Sequence, residues 1–191
     1  KWDYELRAGQ EVEDIIDRAL DIALTAPKGP VYLMLPREVL TAPDSSSTAK
    51  PRRRAFGAVA PQPNEKAIKE MAKWLASAKK PLIITSVVGR IPENISNLSS
   101  LVEKFAIPIA QHGARCVNLP SRHPMNLGML TDDMVETADV ILVIDCEIPW
   151  IRRQTGPAKK TKVMHLGIDP LYQKFPIRGF EDDLAIAGGS L

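Results

Sequence analysis

Residues Asp139–Cys146 read DVILVIDC. The apolar run is short and continuous, and an aspartate stands at each end. A run without polar alternation fits a strand buried on both faces, as in a parallel sheet. It is the clearest buried strand in the chain, and the reading of the fold works outward from it.

Upstream, Asn64 is placed to cap a helix whose apolar stripe is Ile68, Met71, Ala72, Leu75 and Ala78. Pro81 opens a strand, PLIITSVV. Ile95, Leu98, Leu101, Val102 and Phe105 form a second helical stripe, and IPIAQ from Ile107 follows as a strand. MVETA, from Met134, closes a shorter helix just before the central strand. Downstream, KVMHLGID from Lys162 and DLAIAGG near the end supply two further strands. Strands alternating with helices predict an α/β fold: a doubly wound, mainly parallel sheet with helices on both faces and right-handed crossovers.

The first 40 residues behave differently. Gln10–Ala26 has helical apolar spacing, stopped by Pro27 and Gly29-Pro30, and VYLML from Val31 is a strand. One helix and one strand cannot bury each other. Residues 1–40 are therefore expected to be the end of a preceding α/β domain. Residues 41–63 are rich in Ser, Thr, Pro and Arg and are expected to link it to a second domain, 64–191. The KPRRR run at Lys50–Arg54 reads as solvated linker. The chain starts at Lys1 without a methionine, so it is expected to be part of something longer.

Bulk composition excludes several function classes. A net charge of +2 gives no reason to expect a nucleic-acid or anionic-membrane partner. Aromatic content of 5% disfavours a stacking platform for single strands. Cys116 and Cys146 show neither metal-ligand spacing nor a disulfide framework, and read as reduced thiols of a cytoplasmic protein. No apolar run approaches the length of a membrane span.

In doubly wound sheets ligands lie beyond the carboxyl ends of the strands. Four such ends carry the candidate residues. Ser86, Gly89 and Arg90 follow the first strand of 64–191: glycine permits close backbone approach, and arginine forks onto phosphate. Gln111 and His112 follow the second, and Asp145 to Trp150 the third. Asp169 follows the fourth, where a carboxylate can accept ribose hydroxyls or simply hold a turn before Pro170. Ser86, Gly89, Arg90, Asp145 and Asp169 are the cofactor-binding candidates. A single glycine is not a G-x-G-x-x-G loop. None of His112, His123 and His165 stands in a nucleophile motif, so no catalytic or metal-ligating residue is assigned. Trp150 fits a pocket wall or a core anchor.

RALDIALTAPKGPVYLMLPREVL, KPLIITSVVGR, PSRHPMNLG, ADVILVIDCEIPWI and HLGIDP occur in an order and spacing that resemble thiamine-diphosphate-dependent enzymes. The nearest resemblance is to acetolactate synthase-like large subunits; benzoylformate decarboxylase is a more distant one. The resemblance implies that residues 1–40 end the pyrimidine-binding domain, 41–63 cross over, and 64–191 form the Rossmann-like central domain. It implies an enzyme that decarboxylates a 2-oxo acid and transfers the two-carbon unit, a homo-oligomer (dimer or tetramer) requiring thiamine diphosphate and magnesium. The family's catalytic glutamate segment and its Gly-Asp-Gly diphosphate motif do not occur in these 191 residues, so they are expected to be inactive alone. The synthases also hold FAD through a glycine cluster that Thr85, Ser86, Val87 and Val88 replace here, which argues against flavin. The alternatives are a benzoylformate-decarboxylase-like enzyme and a free-standing nucleotide- or flavin-binding module.

Overall fold

A computed structural model describes residues 1–42 and 57–190. Lys50–Arg54, and with them most of the expected linker, lie outside the described residues. The chain divides into two compact units, Lys1–Ala60 and Pro61–Leu191.

The first unit holds strand β1 (Trp2–Glu5), helix α1 (Val12–Leu24), strand β2 (Val31–Met34) and a short helix α2 (Arg37–Leu40). β1 pairs in parallel with β2, Trp2 against Val31 through Glu5 against Met34. The sequence reading found one helix and one strand here; β1 is a further strand that precedes them. β1 is only four residues long and is exposed at every second position, so it carries no buried run. The stripe Val12, Ile16, Leu20 and Leu24 on α1 remains more than a third exposed. Gly57 and Ala58 return to this unit: their amides donate to Asp21 Oδ1 at 3.3 Å and Thr25 Oγ1 at 3.0 Å.

The second unit contains helix α3 (Glu65–Ser77), strand β3 (Pro81–Thr85), helix α4 (Pro92–Phe105), strands β4 (Ile109–Gln111) and β5 (Asn126–Met129), helix α5 (Asp132–Thr137), and strands β6 (Val140–Ile144), β7 (Lys162–Gly167) and β8 (Leu184–Ala187). All six strands are parallel, in the order β5-β4-β3-β6-β7-β8. Counted within the unit this is 3-2-1-4-5-6, the Rossmann order. β5 was not anticipated: Asn126 and Gly128 mask it, and Gly128 has φ 78.

The alternation of β3 and β6 builds two cores. Ile83 and Leu142 point to one face, where Leu98 and Val102 of α4 and Met71, Trp74 and Leu75 of α3 cover them. Leu82, Ile84, Ile141 and Val143 point to the other, against Val135 of α5, Cys146 and Trp150. Burial on both sides explains why β6 is apolar at every position.

Asn64 caps α3, its Oδ1 accepting from the amides of Lys66 at 3.0 Å and Ala67 at 3.2 Å. Asn64→Ala is expected to cost about 1 kcal/mol in denaturant unfolding. An unchanged midpoint would show that the cap contributes nothing.

Candidate functional site

The carboxyl ends of β4, β3, β6 and β7 are neighbours in the sheet, and the strand order reverses at β3. The four segments singled out in the sequence therefore share one edge, at the position where such sheets bind ligands.

Ser86 stands at the centre of this edge, buried. Its hydroxyl donates to the His112 carbonyl and lies 2.9 Å from Cys146 Sγ. Three strand ends are thus tied through one side chain. The Ser86 carbonyl accepts from the Arg115 amide at 3.2 Å and from Asn118 Nδ2 at 3.0 Å. His112 Nδ1 stands 2.5 Å from the Ile148 carbonyl, joining the connections after β4 and β6. Burial pushes the Cys146 thiol up, outweighing the hydrogen bond from Ser86. It is an inert packing group, not a nucleophile.

Gly89 is approached closely, but by the chain itself. A Cβ built there would stand 1.8 Å from the Val117 carbonyl oxygen and 3.2 Å from Asn118 Cα. Its amide donates to Asn118 Oδ1 at 3.1 Å. Asn118 is fully buried and also donates to Gln111 Oε1 at 3.1 Å. The connection after β4 thus occupies the turn that an open phosphate loop would offer. Asn118 gave no signal in the sequence. An Asn among loop residues looks like turn chemistry, and its partners Ser86 and Gly89 lie 32 and 29 positions away.

Arg90 ends a short 3-10 turn (Val88–Arg90) with an exposed side chain, close enough to act electrostatically on Asp145. Asp145 has φ 46, and its Oδ2 accepts from Ser190 Oγ at 2.6 Å. Burial pushes its carboxyl up, against the pull of Ser190 and Arg90. A Cβ at Gly167 would meet Asp145 Oδ1 at 2.8 Å, so glycine there makes room for the carboxylate. Asn94 Nδ2, in the first turn of α4, donates to Ser190 Oγ at 3.2 Å. Asp169 holds a turn: its carboxylate accepts from the Gln173 amide at 3.1 Å. Trp150 is buried and packs edge-on against Phe180 at 5.4 Å, which makes it a core anchor.

Among the described residues no group of three or more His, Cys, Asp and Glu side chains could hold a metal ion. No described helix is long and apolar enough to cross a membrane.

Comparison with known proteins fits this architecture. Residues 68–174, more than half of the chain, match the family model described as the thiamine pyrophosphate enzyme central domain. The large subunit of acetolactate synthase isozyme 1 from Escherichia coli K12 is 27% identical over 180 residues, covering 88% of this chain and 31% of the subunit. 2-Hydroxyacyl-CoA lyase 1 from Dictyostelium discoideum is 24% identical over 151 residues, covering 78% of this chain and 26% of the lyase. The crystal structure of benzoylformate decarboxylase from Polynucleobacter necessarius superposes with a TM-score of 0.77 at 22% identity, over all of this chain and 36% of that one. The chain spans about a third of the length of these proteins. It belongs to the thiamine pyrophosphate enzymes, and residues 68–174 are its match to their central domain.

Proposed function

We propose that the chain is part of an acetolactate synthase-like enzyme that decarboxylates a 2-oxo acid and passes the two-carbon unit to a second one. The observation that supports this reading most is the similarity to the synthase large subunit over 88% of the chain, beyond the central domain alone. In this reading residues 1–40 end the pyrimidine-binding domain, 41–63 cross over, and 64–191 are the central domain. Thiamine diphosphate, when bound, supplies the ylid chemistry that stabilises the carbanion.

The described residues do not themselves fit that cofactor. A magnesium–diphosphate group needs a set of carboxylates and carbonyls around the cation. No such acidic cluster occurs among them, and burial pushes the pKa of the half-buried Asp145 carboxyl up, which works against cation binding. Nor does the turn at Gly89 fit a flavin diphosphate, because Val117 and Asn118 fill it. The role of these residues is architectural: Ser86, Asn118 and His112 lock the strand-end edge into one rigid surface. The exposed α1 stripe supports burial against more of the protein or a second copy, in keeping with a cytoplasmic homo-oligomer, a dimer or tetramer.

A benzoylformate-decarboxylase-like activity is the second reading, favoured by the structural match over the whole chain. The test is product analysis on the full-length protein with thiamine diphosphate and magnesium. Acetolactate from pyruvate, without flavin absorbance in the purified protein, is the expected result. Aldehyde and carbon dioxide from benzoylformate alone would favour the second reading, and no turnover of either acid would overturn both.

A further inference from the structure

The chain leaves the first unit later than its composition suggests. After α2 the amides of Thr41 and Ala42 still donate to the Arg37 and Val39 carbonyls, at 3.0 and 3.3 Å. At Gly57 the chain is again tied to the first unit. Both ends of the stretch 43–56 therefore belong to one unit, and the crossing to the second begins only after Ala58.

The hold on the first unit is specific. The amides of Gly57 and Ala58 donate to Asp21 Oδ1 and Thr25 Oγ1 at the end of α1. Thr25 Oγ1 in turn donates to the Asp21 carbonyl at 2.6 Å, which fixes it as an acceptor for Ala58. Gly57 has φ 85, and a Cβ there would stand 2.9 Å from the Leu24 backbone. Glycine alone combines that conformation with so close an approach.

The hold on the second unit is as close. The Pro61 carbonyl accepts from the Gly189 amide at 2.9 Å, just past β8. Pro63 lies against the same strand end: a Cβ at Gly188 would stand 2.6 Å from its nitrogen. That strand end is itself fixed. The Gly188 amide donates to the Gly167 carbonyl at 2.9 Å, and Ser190 Oγ to Asp145 Oδ2 at 2.6 Å. Pro61 and Pro63 also have their own φ locked by the ring.

Only Val59 and Ala60 lie between the two holds. Neither is in a helix or strand, and Val59 is 96% exposed. Among the described residues no backbone hydrogen bond ties either of them. Ala60 precedes a proline and is confined to extended conformations. Most of the torsional freedom of the crossing is thus at Val59.

We propose that Val59–Ala60 is the pivot between the two units, with residues 57–58 moving as part of the first and 61–63 as part of the second. A hinge is a few such residues that absorb the φ/ψ change while the packed elements on either side stay intact. Residues 43–56 take no part in it, because they leave and rejoin the same unit.

The experiment uses the full-length protein with Cys116→Ser and nitroxide labels at Arg18→Cys on α1 and Lys73→Cys on α3, both exposed. Labelled chains are diluted into unlabelled ones, and pulsed dipolar spectroscopy reads the distance between the units. Gly-Gly inserted between Val59 and Ala60 should shift or broaden the distribution by up to about 7 Å, the span of two extended residues. The same insertion between Ser46 and Ser47 should leave the distribution unchanged. An unchanged distribution after the first insertion overturns the proposal, as does a comparable change after the second. If the first variant does not fold, Val59→Gly, which adds backbone freedom at the pivot, decides. A broader distribution is expected from it, and an unchanged one overturns the proposal. Distances are read without turnover, so failure of the pivot leaves the proposed reaction standing, and failure of the reaction leaves the pivot standing.

Discussion

Gly89→Ala is expected to destabilise the protein by about 3 kcal/mol or more, among the largest effects of any single methyl group in this chain. The new Cβ would lie 1.8 Å from the Val117 carbonyl oxygen, 2.8 Å from its carbon and 3.2 Å from Asn118 Cα. All three are backbone atoms, so no rotamer change relieves the overlap. The connection after β4 must lift. Lifting it breaks the bonds from the Gly89 amide to Asn118 Oδ1 and from Asn118 Nδ2 to Ser86 and Gln111. A buried polar group left unpaired costs about 1–3 kcal/mol. Gly156→Ala is the control: nothing lies within 4 Å of its Cβ position, and a change within about 0.5 kcal/mol is expected. Denaturant unfolding of both variants measures the difference. A loss below about 1 kcal/mol at Gly89 would mean that the turn is not sealed. Combining Gly89→Ala with Asn118→Ala should cost less than the sum, because both undo the same docking.

The same contact decides what the strand-end edge can hold. In a dinucleotide-binding sheet the first βα turn leaves its amides open to a diphosphate at the helix N-terminus. Here the strand order is right for such a ligand, but the turn is satisfied internally. The fold class is preserved while the phosphate loop is filled by protein. A ligand of this domain must then rely on groups outside this turn.

Much of the architecture was legible because it rests on periodicity. The runs at Pro81, Ile107, Val140, Lys162 and Leu184 are strands because their residues are buried on one or both faces, and burial writes itself into composition. β1 and β5 escaped because they leave alternate positions exposed, and β5 carries Asn126 and Gly128. The site was legible only as an edge. That Ser86, Asp145 and Asp169 lie near one another follows from parallel strands ending together. What they contact does not: Ser190 reaches Asp145 across 45 residues and Cys146 meets Ser86 across 60. The surroundings of Arg178 were not legible at all. A lone arginine in a loop looks like surface charge, and only the fold brings Tyr172, Phe180 and His165 around it.

His165 makes the second large prediction: stability should fall by about 3 kcal/mol as the pH drops from 7 to 4, through this one side chain. Burial and the neighbouring Arg178 lower its pKa from 6.5 to about 4 in the folded chain. Between those values the unfolded chain takes up a proton that the folded chain refuses. The stabilisation is therefore complete above pH 6.5 and is lost as the pH falls toward 4. Among the described residues no acid pairs with the imidazole. Its sheet neighbours are Val143 on β6 and Ala185 on β8, and the β7–β8 connection presents the Arg178 cation and the Glu181 backbone. Other groups titrate nearby in pH. Asp139 and Asp183 have lowered pKa values, so their stabilisation also disappears on acidification, but below the usual carboxylate value. Asp145, pushed up, works in the opposite sense: its contribution is present at low pH and is lost as the pH rises through its folded value. Comparison with His165→Gln removes these shared terms, since glutamine can still accept from Arg178 but does not titrate. The difference in unfolding free energy between the two proteins should change by about 3 kcal/mol across that interval. A flat difference would mean that the imidazole takes up its proton as readily in the folded chain as in the unfolded one, so that neither burial nor Arg178 lowers its pKa.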